Sequence, residues 1–392
     1  MKNVLFKIFL CLIIVAAVFS GFNLSLMNIE YTDSMILTED FSALEPSPPI
    51  SLCVTHKDNG GLILNYKLFN FLDIKTLNCR FVENEEVYLG GKPLGVTIGA
   101  EGAIIVGTNA IITDKGLVNP LVDSGIQNGD ILMSINGYKV NNPSDITKIA
   151  NYVATKNVKL KINRRGNIFE VDTVFLKDTL TGEPRLGLSI KDCISGIGTL
   201  TYIKSDGSFG ALGHHIIDTD TGLSKELNTG RVYNCSIIGV KKGVKGAAGE
   251  LRGVFNRFDN GVGSINNNNE FGIFGKMSEV GADAQKIKVG SELDIKHGKA
   301  YVYTTVNGNA PDYYEINIVK TMQQDNAQVK SMVISITDKR LLDITGGIVQ
   351  GMSGSPVIQN GKLIGAVTHV FINDPTRGYA VYINWMLSSS CG

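Results

Sequence analysis

Gly351-Met352-Ser353-Gly354-Ser355-Pro356-Val357-Ile358, continued by Asn360-Gly361-Lys362-Leu363-Ile364-Gly365-Ala366-Val367-Thr368, is the stretch on which the reading of this chain turns. A serine that attacks a carbonyl needs its hydroxyl on a tight turn with neighbouring backbone N–H groups aimed at the developing oxyanion. Glycines on both sides of Ser353 permit such a turn, and the N–H groups of Gly351 and Ser353 are the candidate oxyanion donors. The apolar run Pro356 to Ile358, the turn signal Asn360-Gly361 and the run Leu363 to Val367 predict a hairpin walling a cleft. A bare glycine-serine turn in a β protein also has a purely structural reading, so the case needs a partner for Ser353.

Serine at its ordinary pKa is a poor nucleophile and requires a base, usually histidine. Five histidines are present. His56 lies far upstream, and His297 sits in the turn-like Lys296-His297-Gly298. The glycine-serine run resembles the G-x-S-G-[GS]-P pattern of chymotrypsin-like proteases, with Met352 where many of them carry an acidic residue. That resemblance implies a base early in the domain, after a small-residue stretch. His214 in Phe209-Gly210-Ala211-Leu212-Gly213-His214-His215-Ile216 fits that slot, and His215 points the other way along the chain. His369 follows Ser353 and is in the wrong chain order for this fold. Asp218, Asp220, Asp294, Asp338 and Asp343 compete as the acid that orients the base. The run Asp218-Thr219-Asp220-Thr221-Gly222 has the composition of a solvated turn, and residue chemistry does not separate the others.

The rest of the 392 residues sets the context. This length exceeds what one core usually organises. The 44 glycines against 10 prolines favour a mainly β chain with many tight turns. Lys plus Arg and Asp plus Glu both number 37, so no net field attracts nucleic acid. The cysteines Cys11, Cys53, Cys79, Cys193, Cys235 and Cys391 form no C-x-x-C pair, so neither a metal nor another cofactor is predicted. Free thiols are favoured over the pairings Cys53 with Cys79 or Cys193 with Cys235. Residues 1–27, with Lys2 and Lys7 flanking an apolar run from Ile8, predict a membrane-entering segment. An uncleaved anchor is favoured over a signal peptide cut after Ser20.

Residues 28–87 read as a linker ending in Pro46 to Pro49, followed by a small β-rich or α/β lead-in. Over 88–180 the pattern sharpens. Ser124-Gly125, Asn128-Gly129-Asp130, the alternation of Ile131, Met133 and Ile135, and the hairpin turn Asn136-Gly137 resemble a PDZ domain. A helix from Pro143 to Val153 and a hairpin across Arg165-Gly166 complete that pattern. On this resemblance Leu94, Gly95 and Val96 stand where PDZ domains bind a terminal carboxylate, beside a groove that takes a peptide as an added strand.

Taken together, the chain resembles the stage IV sporulation protein B peptidases of endospore-forming bacteria. The residues that carry this are Gly196 to Tyr202, Phe209 to His214, Thr337 to Leu342, and Gly346 to Pro356 continuing through Ala366 to Val370. The resemblance implies a mainly β protein with an N-terminal anchor, a PDZ domain, and a chymotrypsin-like double β-barrel serine protease domain over 187–392. It places the triad on His214, Asp338 and Ser353, with Asp343 five residues beyond the acid. It implies export across the forespore membrane, anchoring, and release into the intermembrane space. It further implies self-cleavage, and cleavage of a regulator of a membrane-embedded metalloprotease that leads to maturation of a late mother-cell sigma factor. The partners so implied are that protein substrate, the enzyme's own chain and the membrane. The competing reading is a non-catalytic PDZ scaffold with a protease-like domain. A heat-shock quality-control protease is disfavoured because those place the PDZ after the protease.

Overall fold

The computed structural model describes residues 34–37, 49–56, 61–81 and 85–390, apart from 154–156, 225, 228, 282–283 and 325. The expected anchor over 1–27 lies outside the described residues. Among the described ones no helix is long and apolar enough to cross a membrane. The chain divides into two units, Met1–Glu83 and Asn84–Gly392.

The first unit holds a four-stranded sheet in the order Ser34–Leu37, Leu72–Phe81, Gly61–Leu68, Ile50–His56. Its first two strands are parallel and the others antiparallel. The described residues of the lead-in expected over 50–87 are thus strands up to Phe81, with Phe69 and Asn70 at positive φ turning Gly61–Leu68 into Leu72–Phe81.

The second unit contains two closed six-stranded rings. In the first, strands Ser208–Ala211, Gly272–Met277, Gly263–Asn269, Thr229–Asn234, Pro93–Gly99 and Ile194–Ile203 pair in that order, and the last pairs back onto the first. In the second, Lys362–Phe371, Pro356–Gln359, Gly298–Thr304, Asp312–Thr321, Met332–Ile336 and Asp374–Tyr382 close in the same way. Strands Glu86–Leu89 and Lys286–Val289 join the two rings. Closure removes sheet edges and gives each ring its own interior. Leu94, Val96, Ile98, Phe209, Val232 and Ile273 pack in the first ring. Val302, Ile316, Ile334, Val357, Val367 and Ala380 pack in the second.

Between strands Pro93–Gly99 and Ile194–Ile203 the chain leaves the first ring, builds a separate module from Ala103 to Lys191, and returns to the neighbouring position in the ring. The exit and return run side by side, since a Cβ on Gly99 would lie 2.8 Å from the Asp192 carbonyl oxygen. The module's main sheet has the order Asn167–Val174, Asn157–Arg164, Ile131–Ile135, Ala103–Thr108, Leu188–Lys191, covered by helix Pro143–Val153. Its core gathers Ile105, Leu132, Ile135, Leu160, Ile162 and Phe175 with Ile149, Ala150 and Val153 of the helix. The turns form where the residues demanded them, with Asn136 and Gly137 at φ 49° and 81° and Arg165 and Gly166 at 51° and 90°. The Gly129-Asp130 pair also has a structural cause. Asp130 is buried, accepts the Gln127 N–H at 2.9 Å, and binds the Arg164 guanidinium through both oxygens at 2.6 and 2.7 Å.

This nesting corrects the expected domain boundary at 88 and the expected carboxylate-binding loop. Leu94, Gly95 and Val96 are an interior strand of the first ring, paired on one side with Gly198, Ile197 and Gly196 and on the other with Asn234, Tyr233 and Val232. Their backbone is committed to both neighbours and is not free to receive a peptide terminus. Gly95 is glycine for a packing reason, because a Cβ there would overlap the Phe255 ring. Of the candidate disulfide partners, Cys53, Cys193 and Cys235 are free thiols.

Candidate active site

Ser353 sits on the turn that leads into strand Pro356–Gln359, between Gly351 at φ 95° and Gly354 at φ 89°. Both glycines are needed in the left-handed region, and at Gly354 a Cβ would also overlap the Thr199 carbonyl and the Leu212 backbone. Threonines of the first ring hold this turn of the second. Thr199 donates its N–H to the Ser353 carbonyl at 3.0 Å and its hydroxyl to the Gly351 carbonyl at 2.8 Å. Thr201 donates its hydroxyl to the Gly354 carbonyl at 2.7 Å. Met352, at the position that is acidic in many chymotrypsin-like enzymes, is fully buried in the second core. An apolar plug there avoids a buried charge.

The N–H groups on either side of the Ser353 hydroxyl are distributed unequally. Met352, Gly354 and Ser355 donate theirs to Val349, Val367 and Met352 carbonyls. Those of Gly351 and Ser353 meet no acceptor among the described residues. Unpaired backbone donors are rare in folded proteins, and N–H groups left free beside a serine hydroxyl are of the kind that can stabilise a negatively charged oxygen.

His214 reaches the same place by a different turn. Leu212 and Gly213, at φ 72° and 69°, bend the chain out of strand Ser208–Ala211. Gly213 lies so close to Val367 and Thr368 that a Cβ would sit 3.0 Å from Thr368 Cγ2. This packing sets His214 against the strand that follows Ser353. Its Nδ1 is 2.9 Å from the His215 carbonyl oxygen, which can only accept, so Nδ1 carries the proton and Nε2 is the basic nitrogen. Burial pushes the His214 pKa below the usual histidine value, keeping the ring neutral at pH 7. Ser353 Oγ donates to the Thr368 carbonyl at 3.1 Å and makes no hydrogen bond to His214 in this conformation.

Ser353, His214 and His215 line one cleft of about 620 Å³ together with His369. His369 was set aside on chain order, yet its ring centroid is 5.3 Å from that of His214. Its pKa is pushed down to about 4, first by desolvation and then by His214, Lys330 and His215. The His369 side chain nonetheless keeps substantial solvent exposure at the mouth of the cleft. A larger hollow of about 930 Å³ lies on the inserted module around Asn136, Lys139, Lys159 and Glu170, and holds none of the predicted catalytic residues.

The predicted acid is not in the cleft. Asp338 caps helix Lys339–Thr345 by accepting the Arg340 N–H at 2.9 Å, and also accepts the Glu315 N–H at 3.3 Å. The Arg340 guanidinium binds it at 2.9 Å and holds its carboxyl below the usual range. No hydrogen bond joins Asp338 to any of the three cleft histidines. Asp343 is exposed on the same short helix. His56 belongs to the first unit, and His297 is exposed beside Thr321.

Two residues near the site escaped the reading of residue types. Asn268 is buried, accepts the Ile216 N–H at 2.8 Å and donates to the Ile216 and Ser224 carbonyls at 3.1 and 3.0 Å. It lies in the run Asn266 to Asn269, where nothing in the residue types distinguishes it from its neighbours. Asp218, expected in solvent, is buried. Among the described residues no three His, Cys, Asp or Glu side chains converge on a point that would hold a metal.

No curated protein matches the chain. The family model described as SpoIVB peptidase S55 matches residues 182–387, more than half of the sequence. The match spans five of the six strands of the first ring in full, the whole second ring and the turn of Ser353, and stops short of Pro93–Gly99, which the fold nevertheless supplies to the first ring. With a peptidase family covering the double ring and its cleft, the chain belongs to the SpoIVB peptidase S55 family.

Proposed function

We propose that this protein is a serine endopeptidase in which Ser353 is the nucleophile, His214 the general base, and the N–H groups of Gly351 and Ser353 the oxyanion hole. The observation that carries the proposal is the pair of unsatisfied N–H groups beside a serine hydroxyl, in a cleft shared with a neutral histidine. When a peptide carbonyl enters, Ser353 Oγ gives up the Thr368 carbonyl and transfers its proton to His214 Nε2 as the Oγ–C bond forms. The carbonyl oxygen becomes the oxyanion held by the two N–H groups. Collapse breaks the C–N bond, His214 returns the proton to the leaving amine, and water then hydrolyses the acyl-enzyme by the same steps. The His215 carbonyl does the tautomer-fixing that the family resemblance gives to Asp338. The substrate chain has a place to lie, because Pro356–Gln359 pairs with the following strand only as far as Ala366. Beyond it, residues 368–370 offer a free edge for an added strand.

Family membership supports the finer reading. In it the protein is exported across the forespore membrane by residues 1–27, cleaves itself, and cuts a membrane-bound regulator of a membrane-embedded metalloprotease. The last cut releases maturation of a late mother-cell sigma factor. The inserted module from Ala103 to Lys191 is read as the PDZ-type domain that presents substrate or the protein's own chain. N-terminal sequencing of the protein made with and without Ser353 tests activity and self-cleavage together. The proposal expects a new N-terminus in the wild type that Ser353→Ala lacks. Identical termini in both contradict it.

A further inference from the structure

The inserted module touches the histidine-bearing segment at a charged contact that neither the fold nor the proposed chemistry requires. Lys191 is the last residue of strand Leu188–Lys191, and its main chain is fixed in the module's sheet opposite Ile104. Its ammonium forms an ion pair with Asp218 at 2.5 Å and a second with Asp220 at 2.9 Å. Asp220 is exposed, but the Asp218 side chain is only 1% exposed. A carboxylate this deep is stable only when paired and hydrogen-bonded. Its other oxygen accepts the N–H groups of Asp220 and Thr221 at 2.8 and 3.3 Å. The loop closes on itself through Asp218 N–H to the Leu223 carbonyl and Gly222 N–H to the Asp218 carbonyl, at 2.8 and 2.7 Å.

Asp218 follows His214 by four positions, and the chain between them has one other anchor, the Asn268 amide on Ile216. The segment is therefore held from two sides, by the first ring through Asn268 and by the module through Lys191. The contact is apolar as well as ionic. Gly129, in the module's own turn, comes so close to the loop that a Cβ would lie 3.4 Å from Thr221. Ile104 and Ile131 of the module share the first ring's core with Leu212 and Leu223, which flank the histidine segment.

We propose that Lys191 is a positioning residue for the peptidase reaction, through which the inserted module sets the placement of His214 by way of buried Asp218. This rests on the serine-peptidase reading above, and the test separates the two. A histidine displaced by a fraction of an ångström still binds its surroundings but accepts the Ser353 proton poorly, so the loss falls on kcat and spares KM. Occupancy of the module by a peptide would act on the same linkage, because the strand that ends in Lys191 is part of its sheet.

The test measures kcat and KM on a peptide substrate, the rate at which a fluorophosphonate labels Ser353, and Tm, in the full chain. Lys191→Met leaves Asp218 unpaired and carries a folding risk, so it is paired with the neutral double variant Lys191→Met/Asp218→Asn, in which no charge is buried. The expectation is a fall in kcat and in labelling rate of about 10- to 100-fold in both, with KM within about twofold. Lys191→Arg, which keeps the ion pair, should recover most of the rate. Wild-type kcat and labelling in the folded double variant would overturn the proposal. So would a loss that tracks Tm alone and is not recovered by arginine. Failure of the wild type itself to label would instead refute the serine-peptidase reading.

Discussion

Replacing Thr199 by Val removes one hydroxyl from the contact that holds the oxyanion turn, with little change in shape. Thr199 is 2% exposed, and its Oγ1 donates to the Gly351 carbonyl at 2.8 Å. The loss leaves that carbonyl without its side-chain donor in a part-buried site, at a stability cost of about 1 to 3 kcal/mol. The carbonyl belongs to the peptide unit that follows the Gly351 N–H, so its release lets the glycine pivot at the positive φ that only glycine adopts freely. Losing one oxyanion donor outright costs about 10²- to 10³-fold in kcat. A donor that is present but free to swing should cost part of that, about 10- to 50-fold, with KM little changed. Steady-state kinetics with Tm measured alongside gives both numbers. A full kcat in a variant that has lost Tm would show the Thr199 contact to be purely structural and would refute the reasoning from Gly351. A change confined to KM would refute it too.

The His214 pKa lies below 6.5 because burial disfavours the imidazolium, and only the neutral ring accepts the serine proton. Activity should therefore be full at neutral pH and fall on acidification with a midpoint below 6.5. A midpoint above 7 in a kcat/KM profile would contradict the burial argument. Asp338→Asn keeps the helix cap, since asparagine caps as well as aspartate, and keeps His214 untouched. Its kcat per folded molecule should stay within about tenfold, whereas a loss near 10⁴-fold at unchanged Tm would place Asp338 on His214 during turnover. Arg164→Met strands the buried Asp130 carboxylate and should destabilise the inserted module by about 3 kcal/mol, read as a drop in denaturation midpoint. An unchanged midpoint would show that the Gly129-Asp130 turn does not depend on the pair.

Much of the site was legible because its demands are local. A glycine-flanked serine needs positive φ at the positions where Gly351 and Gly354 adopt it. The small-residue run before His214 marks a close approach, since Gly213 packs on Thr368. The hairpins at Asn136-Gly137, Arg165-Gly166 and Asn360-Gly361 formed for the same reason, turn chemistry contained within a few residues. What failed was long-range. The strand Leu94 to Val96 looks like any apolar strand, and only its pairing with Gly196–Gly198 and Val232–Asn234 reveals that it belongs to the ring and that the PDZ-like pattern begins after it. Asp218 was read as solvated because turn residues usually are, and the lysine that permits its burial comes from 27 positions upstream. Asp338 carried its triad role from resemblance alone, while the cap and the Arg340 pair that occupy it follow from local spacing. Chain order argues against His369, but it says nothing of how the residue directly after Thr368 faces the cleft.

The central claim is that the Ser353 hydroxyl is an activated nucleophile. The most direct test is covalent labelling of the folded protein with a fluorophosphonate, followed by mass spectrometry of the modified peptide. The account predicts a single adduct on Ser353, no adduct in Ser353→Ala, and labelling slowed by about 10²-fold or more in His214→Ala. A folded wild type that takes no label, or takes it on a different serine, would contradict it.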